Sequence, residues 1–209
     1  MIHHTAGANT TNYTQAQAFA MARSIQNFHM DGNGWSDSGQ HFTISRGGYV
    51  MEGRHNSLSR LRAGSGMVVG AHCPGQNDKG IGIENEGTYT SATPPAALYD
   101  SLVQFCAYIC DQYNIAASRI YGHRDYVATI CPGNGLYNLL PQLRADVADV
   151  LAGGAATRHR PSAPSSTTPP AAGSPPAPTG SPRRTPPSGT APTTGTPTRP
   201  RSATSPTTR

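Results

Sequence analysis

GIGIENEG (residues 80–87) and PPAALYDSLVQFCAYICDQYN (residues 94–114) follow one another closely in the chain. The first is a short apolar run bounded by glycine, the pattern of a buried strand. The second opens on proline and repeats apolar residues at i, i+3, i+4 and i+7, the period of a core helix. Working outward, IHHT at the start reads as the end of a short buried strand with Ile2 inside. NTTNYTQAQAFAMARSIQNFHM (9–30) begins with capping residues and then places Phe19, Ala22, Ile25 and Gln26 at helical spacing. QHFTISRGGYVMEGR alternates apolar residues around a Gly-Gly turn and predicts a hairpin. MVVGAH and RIYGH predict two further short strands, and LPQLRADVADVLAG a last amphipathic helix stopped by Gly153 and Gly154. Strands and helices mix without repeats. The expectation is one α/β domain, residues 1–154, with a central mixed β-sheet flanked by about three helices.

Charge divides the chain in the same place. All eleven acidic residues precede residue 155, whereas residues 155–209 hold seven arginines, no acid and fourteen of the nineteen prolines. The formal charge of +5 therefore belongs to the tail, and the domain is close to neutral. Such a tail has too few large apolar side chains to offset the entropy of ordering, so a disordered, partly polyproline-II spacer is expected there. No nucleic-acid partner is expected of the near-neutral domain. No run of eighteen apolar residues occurs, so no transmembrane helix is expected either.

GHRDYVATICPG, residues 122–133, carries His123 and Cys131 eight positions apart, at the end of a predicted strand and in the loop after it. A catalytic zinc site needs three protein ligands and one open position, and imidazole and thiolate both suit it. The third ligand should come from a neighbouring strand end, where IHHT offers His3 or His4. Strand alternation lets only one of these face a given side.

IHHTAG, GWSDSGQHFTISRGGYVMEGR, VVGAHCPGQNDKGIGIENEG and GHRDYVATICPG, in that order, resemble the peptidoglycan recognition protein and zinc amidase family, over about residues 1–152. The resemblance implies one Zn2+ per chain, held by His3, His123 and Cys131. It implies hydrolysis of the amide between N-acetylmuramic acid and L-alanine in bacterial peptidoglycan, with muropeptides as partners and a single chain as the working unit. It also implies a secreted or cell-wall-associated protein. The family has further chain before the His3 strand, so the edge of the domain beside Met1 is expected to be short here. Cys131 speaks for turnover, because members that only bind peptidoglycan usually carry serine at that position and no zinc.

The family tyrosine two residues before the hairpin Phe is replaced here by Gln40, which can orient water or a carbonyl but cannot act as a base. Thr129, two before Cys131, matches the recognition-protein pattern, and His72 matches a groove histidine able to donate to the substrate carbonyl or developing oxyanion; a strand-end histidine satisfied by a neighbouring backbone carbonyl is the alternative for His72. Trp35 and Arg54 match groove positions; a packing role for Trp35 and pairing of Arg54 with Glu52 or Glu84 are the alternatives. Asp125 is expected either to orient His123 or to pair with Arg124, and His41 to be structural. Among the remaining cysteines, a Cys73–Cys110 disulfide with Cys106 as a buried thiol is slightly favoured over three reduced thiols. A binding-only module of the same fold is the second functional reading.

Overall fold

The computed structural model describes residues 1–153. The tail expected over 155–209 lies outside the described residues. Four three-residue strands form one sheet: β1 (Ile2–His4), β2 (Phe42–Ile44), β3 (Val50–Glu52) and β4 (Ile83–Asn85). Their order is β1-β4-β2-β3. β4 runs parallel to both β1 and β2, while β2 and β3 form the antiparallel hairpin. The sheet is therefore mixed, as GIGIENEG and the Gly-Gly hairpin lead one to expect. The helices are α1 (Gln15–Asn27), α2 (Ser57–Ala63), α3 (Ala96–Tyr113), α4 (Asn134–Tyr137) and α5 (Leu140–Leu151).

Register sorts the side chains. Ile2, Ile83 and Phe42 lie in one row across β1, β4 and β2; His3, Glu84 and Thr43 lie in the next. Alternation sends the two rows to opposite faces. The Ile2 row joins the core with Leu98, Leu102 and Cys106 of α3 and Leu140, Leu143 and Val147 of α5. α3 is the spine of this layer: its apolar stripe is buried along most of its length, and α5 and β2 pack against it. The His3 row faces away from that core.

α1 begins where expected, with the Thr14 hydroxyl accepting the Gln17 N–H at 3.3 Å. Its buried side is narrow, however. Ala18 is its one fully buried residue, and Phe19, expected on the apolar stripe, is half exposed. α2 was not anticipated; it buries Leu61 and ends at Gly64 in the left-handed region.

Two expected strands are absent from the ladder. In MVVGAH (67–72) the Gly70 N–H donates to the Asn77 carbonyl and the Ala71 N–H to the Gly39 carbonyl. The N–H groups of His72 and Cys73 both go to the Asn77 side-chain oxygen, at 2.7 and 2.8 Å. The donors of the segment go to the Asn77 turn and to the Gly39 carbonyl instead of a neighbouring strand. RIYGH contributes only the Ile2–Gly122 bridge before a helical turn starts at His123. No disulfide forms among the described residues: Cys73, Cys106 and Cys110 are free, buried thiols, so the favoured Cys73–Cys110 pairing is not present.

Candidate metal centre

Three elements converge on one point. β1 supplies His3 and the helical turn after the Ile2–Gly122 bridge supplies His123; the loop that follows supplies Cys131. One donor atom from each lies within 4.8 Å of the other two. The Cys131 Sγ is 3.8 Å from the His3 Nδ1. Tetrahedral zinc, with Zn–S about 2.3 Å and Zn–N about 2.0 Å, requires a separation of ~3.6 Å between such atoms. The His123 Nε2 is buried and has no hydrogen-bond partner. An orphaned buried nitrogen is costly unless something ligates it. The donors present therefore fit a zinc ion.

The local sequence builds this loop. The Gly122 N–H donates to the Asp125 carboxylate at 2.8 Å, and the Tyr137 hydroxyl donates to the same carboxylate. Asp125 thus caps the turn that carries His123, and its bonds go neither to the His123 ring nor to Arg124. The Arg124 guanidinium donates to the Ile130 carbonyl and, at 2.7 Å, to the Asn134 side chain. These bonds hold the 130–134 segment against the His123 turn. Gly122 is required by packing: a Cβ there would stand 2.8 Å from the Tyr137 ring.

His4 points the other way. Its Nδ1 accepts the Tyr89 N–H at 3.2 Å, while its backbone N–H approaches the Cys131 Sγ at 3.4 Å. The His3 Nε2 lies 3.1 Å from the His72 Nδ1, and the His72 Nε2 lies 2.9 Å from the Gly80 carbonyl. Both nitrogens of His72 are thereby engaged, and its N–H is not free for a bound substrate carbonyl. His41 has its Nε2 2.7 Å from the Val68 carbonyl and accepts the Gly82 N–H at Nδ1, a purely structural pairing.

Burial makes the cluster electrically neutral. It holds His3 well below its usual range, helped by the neighbouring His72 and His123 rings, and brings His72 down to about 3. His123 is lowered by burial as well. The Cys131 thiol is pushed up to about 11, again chiefly by burial. Imidazoles that are neutral at pH 7 are ready ligands, and a divalent ion would displace the thiol proton.

Glu84 is the residue that motif reading passed over. It stands in register between His3 and Thr43, on their face of the sheet, and burial pushes its carboxyl up to about 7. An acid directly after the apolar start of a strand, as Glu84 is in GIGIENEG, was the available signal, since acids are seldom drawn into a sheet without a role.

The remaining expected residues stand as follows. Gln40 is buried, its Nε2 donating to the Thr43 hydroxyl at 2.9 Å and its Oε1 without a partner. Thr129 accepts the Cys131 N–H at 3.2 Å, which places its hydroxyl beside a ligand. Trp35 stacks near His29 at 4.9 Å and remains 39% exposed. Arg54 bonds neither Glu52 nor Glu84; it ties the carbonyls of Ser38 and Val69 at 2.8 and 3.0 Å. Trp35, Val69, Tyr126 and Ile130 are exposed apolar residues of the loops.

Residues 1–134 match the family described as N-acetylmuramoyl-L-alanine amidase. Peptidoglycan-recognition protein SC2 of Drosophila simulans is 36% identical over 141 residues, which cover 66% of this chain and 69% of that one. The N-acetylmuramoyl-L-alanine amidase of Homo sapiens is 34% identical over 144 residues, 66% of this chain but only 23% of that protein. Among solved structures, a Drosophila PGRP-LB variant in complex with tracheal cytotoxin superposes with a TM-score of 0.56 at 30% identity, covering 66% of this chain and 75% of the other. The motifs, the family match and the relatives agree, and the chain belongs to the peptidoglycan recognition protein and type 2 N-acetylmuramoyl-L-alanine amidase family.

Proposed function

We propose that the chain is a zinc-dependent amidase that cleaves between N-acetylmuramic acid and L-alanine in bacterial peptidoglycan. The observation that carries this reading is the buried, unpartnered His123 Nε2 grouped with His3 and Cys131. These three would hold one Zn2+, whose Lewis acidity lowers the pKa of a bound water and polarises the scissile carbonyl. Glu84, beside His3 in register, would take a proton from the attacking water and pass it to the departing L-alanine nitrogen as the C–N bond breaks. Thr129 would keep Cys131 in place through its backbone N–H and present its own O–H to the substrate. Gln40, tied to Thr43, would support the same sheet face rather than exchange protons. Trp35 and the other exposed apolar residues would contact the glycopeptide, with Arg54 shaping that surface by holding two loops together.

Muropeptides are the partners on this reading, and a secreted or wall-associated chain acting alone is the form in which it works. The amidase relatives and the neighbour bound to tracheal cytotoxin support that substrate class. The test is metal analysis joined to turnover. The protein should carry one zinc per chain, lose muropeptide cleavage with a chelator and regain it with zinc. Persistent absence of cleavage in zinc-loaded protein would leave the second reading, a peptidoglycan-binding module, which the substitution at Gln40 favours.

A further inference from the structure

We infer that His72 is a positioning residue that fixes the proton of His3 on Nε2 and so opens the His3 Nδ1 as the metal ligand. The inference rests on the metal-centre reading above. It starts from one backbone oxygen. The Gly80 carbonyl can only accept, so the His72 Nε2, 2.9 Å away, must carry the proton. His72 is packed between the rings of His41 and His3, and its hydrogen bonds go to an imidazole and a carbonyl, with no carboxylate among them. In that setting the ring is neutral, and a neutral ring with its proton on Nε2 has a lone pair at Nδ1.

The next step follows from the 3.1 Å approach of the His3 Nε2 to that lone pair. His3 must donate there, so its own single proton is on Nε2. Its Nδ1 is then a lone pair, and this is the atom that faces the Cys131 Sγ at 3.8 Å. One carbonyl on the Gly80 turn therefore selects the ligating nitrogen through two rings in series. The same task is performed for many metal-bound imidazoles by a carboxylate or a carbonyl directly. Here a second imidazole stands between.

The packing around His72 is built for this. Gly82 lies so close that a Cβ would stand 2.5 Å from the His72 Cγ, and a Cβ at Gly70 would stand 2.8 Å from its Cδ2. Neither glycine has a positive φ; Gly82 is small because the His72 ring needs the room, and Gly70 makes room for the His72 and His41 rings together. The glycines of VVGAH and GIGIE thus act on the centre through His72.

The direct test is long-range proton–nitrogen correlation NMR on histidine-labelled protein, zinc-free and zinc-loaded. His3 and His72 should both show protonated Nε2 and unprotonated Nδ1 in the zinc-free protein, and His3 should keep its Nε2 proton when zinc binds. Zinc affinity, read by competition with a chelating dye, gives the second arm. His72→Leu should weaken it about 10- to 100-fold. His72→Gln, which keeps an acceptor for His3, should recover most of that loss, and Gly82→Ala, which displaces the ring without changing its chemistry, should resemble His72→Leu. Unfolding temperatures of the zinc-free proteins identify any variant lost to misfolding, in which case the wild-type spectrum decides. A His3 proton on Nδ1, or a folded His72→Leu protein that binds zinc as tightly as wild type, overturns the inference while leaving the metal centre intact. Wild-type protein that takes up no zinc overturns both.

Discussion

Cys131 and Glu84 both belong to the proposed centre, yet the chemistry asked of them differs, and substitution separates the two. Cys131→Ser replaces a thiolate with a poor zinc ligand and should reduce bound zinc, measured by plasma emission, to a small fraction of one per chain. Glu84→Gln keeps the shape and removes the proton acceptor. It should retain zinc while turnover of muropeptides falls by about 10²- to 10⁴-fold. Unchanged turnover in Glu84→Gln would assign that carboxyl to structure alone. The grouping of His3, His123 and Cys131 was legible in the sequence because each sits in a motif of fixed order. Glu84 was legible only as an acid in an apolar strand. The His72 bond to His3 left no trace in the sequence, since it depends on where the Gly80 carbonyl points.

α3 and α5 were readable because eighteen and twelve residues repeat an apolar period many times over. Strands of three residues repeat nothing, and MVVGAH shows the consequence. Its apolar run suggested a strand, but its N–H groups are captured by Asn77 and the Gly39 carbonyl, and Val69 is left 58% exposed. Nothing in the run itself announces that capture. The core behind α3 allows a plain stability prediction: Leu102, fully buried against α5 and the sheet, should cost about 2–5 kcal/mol on change to alanine. Urea unfolding of the zinc-free protein would measure it.

A subtler element-scale effect belongs to Asp37, which joins α1 to the chain before α2. Burial opposes its charge, but hydrogen bonds from the His55 N–H, the Gln26 amide and the Ser38 N–H outweigh it and hold the carboxyl below its usual range. A folded-state value below the unfolded one gives stability that is present above the unfolded value and lost as pH falls through the folded one. Asp37→Asn should therefore unfold more easily by about 1 kcal/mol at neutral pH, allowing for its partial exposure to solvent. That gap should close as the pH is taken below about 4. A gap that persists at pH 2 would assign the loss to packing.

For the whole molecule, charge and proline predict the limit of the domain near residue 154, with seven arginines and no acid beyond it. A chain ended at Gly154 should keep the unfolding temperature and the muropeptide turnover of the full chain, because every ligand and the entire described core precede that point. Loss of turnover on truncation, measured with soluble muropeptides, would give the tail a part in catalysis. The mixed sheet and its helices followed from the pattern of apolar residues, whereas the side of the sheet that works followed only from register. Register brings His3, Glu84 and Thr43 into one row, opposite the face that α3 and α5 bury. The claim that this face hydrolyses the muramoyl–alanine amide is tested most directly by mass spectrometry of defined muropeptides incubated with wild-type and Cys131→Ser protein, both supplied with zinc. Wild type should release stem peptides with a free L-alanine amino terminus while Cys131→Ser leaves the muropeptides whole; intact muropeptides in both digests, or equal release in both, would contradict it.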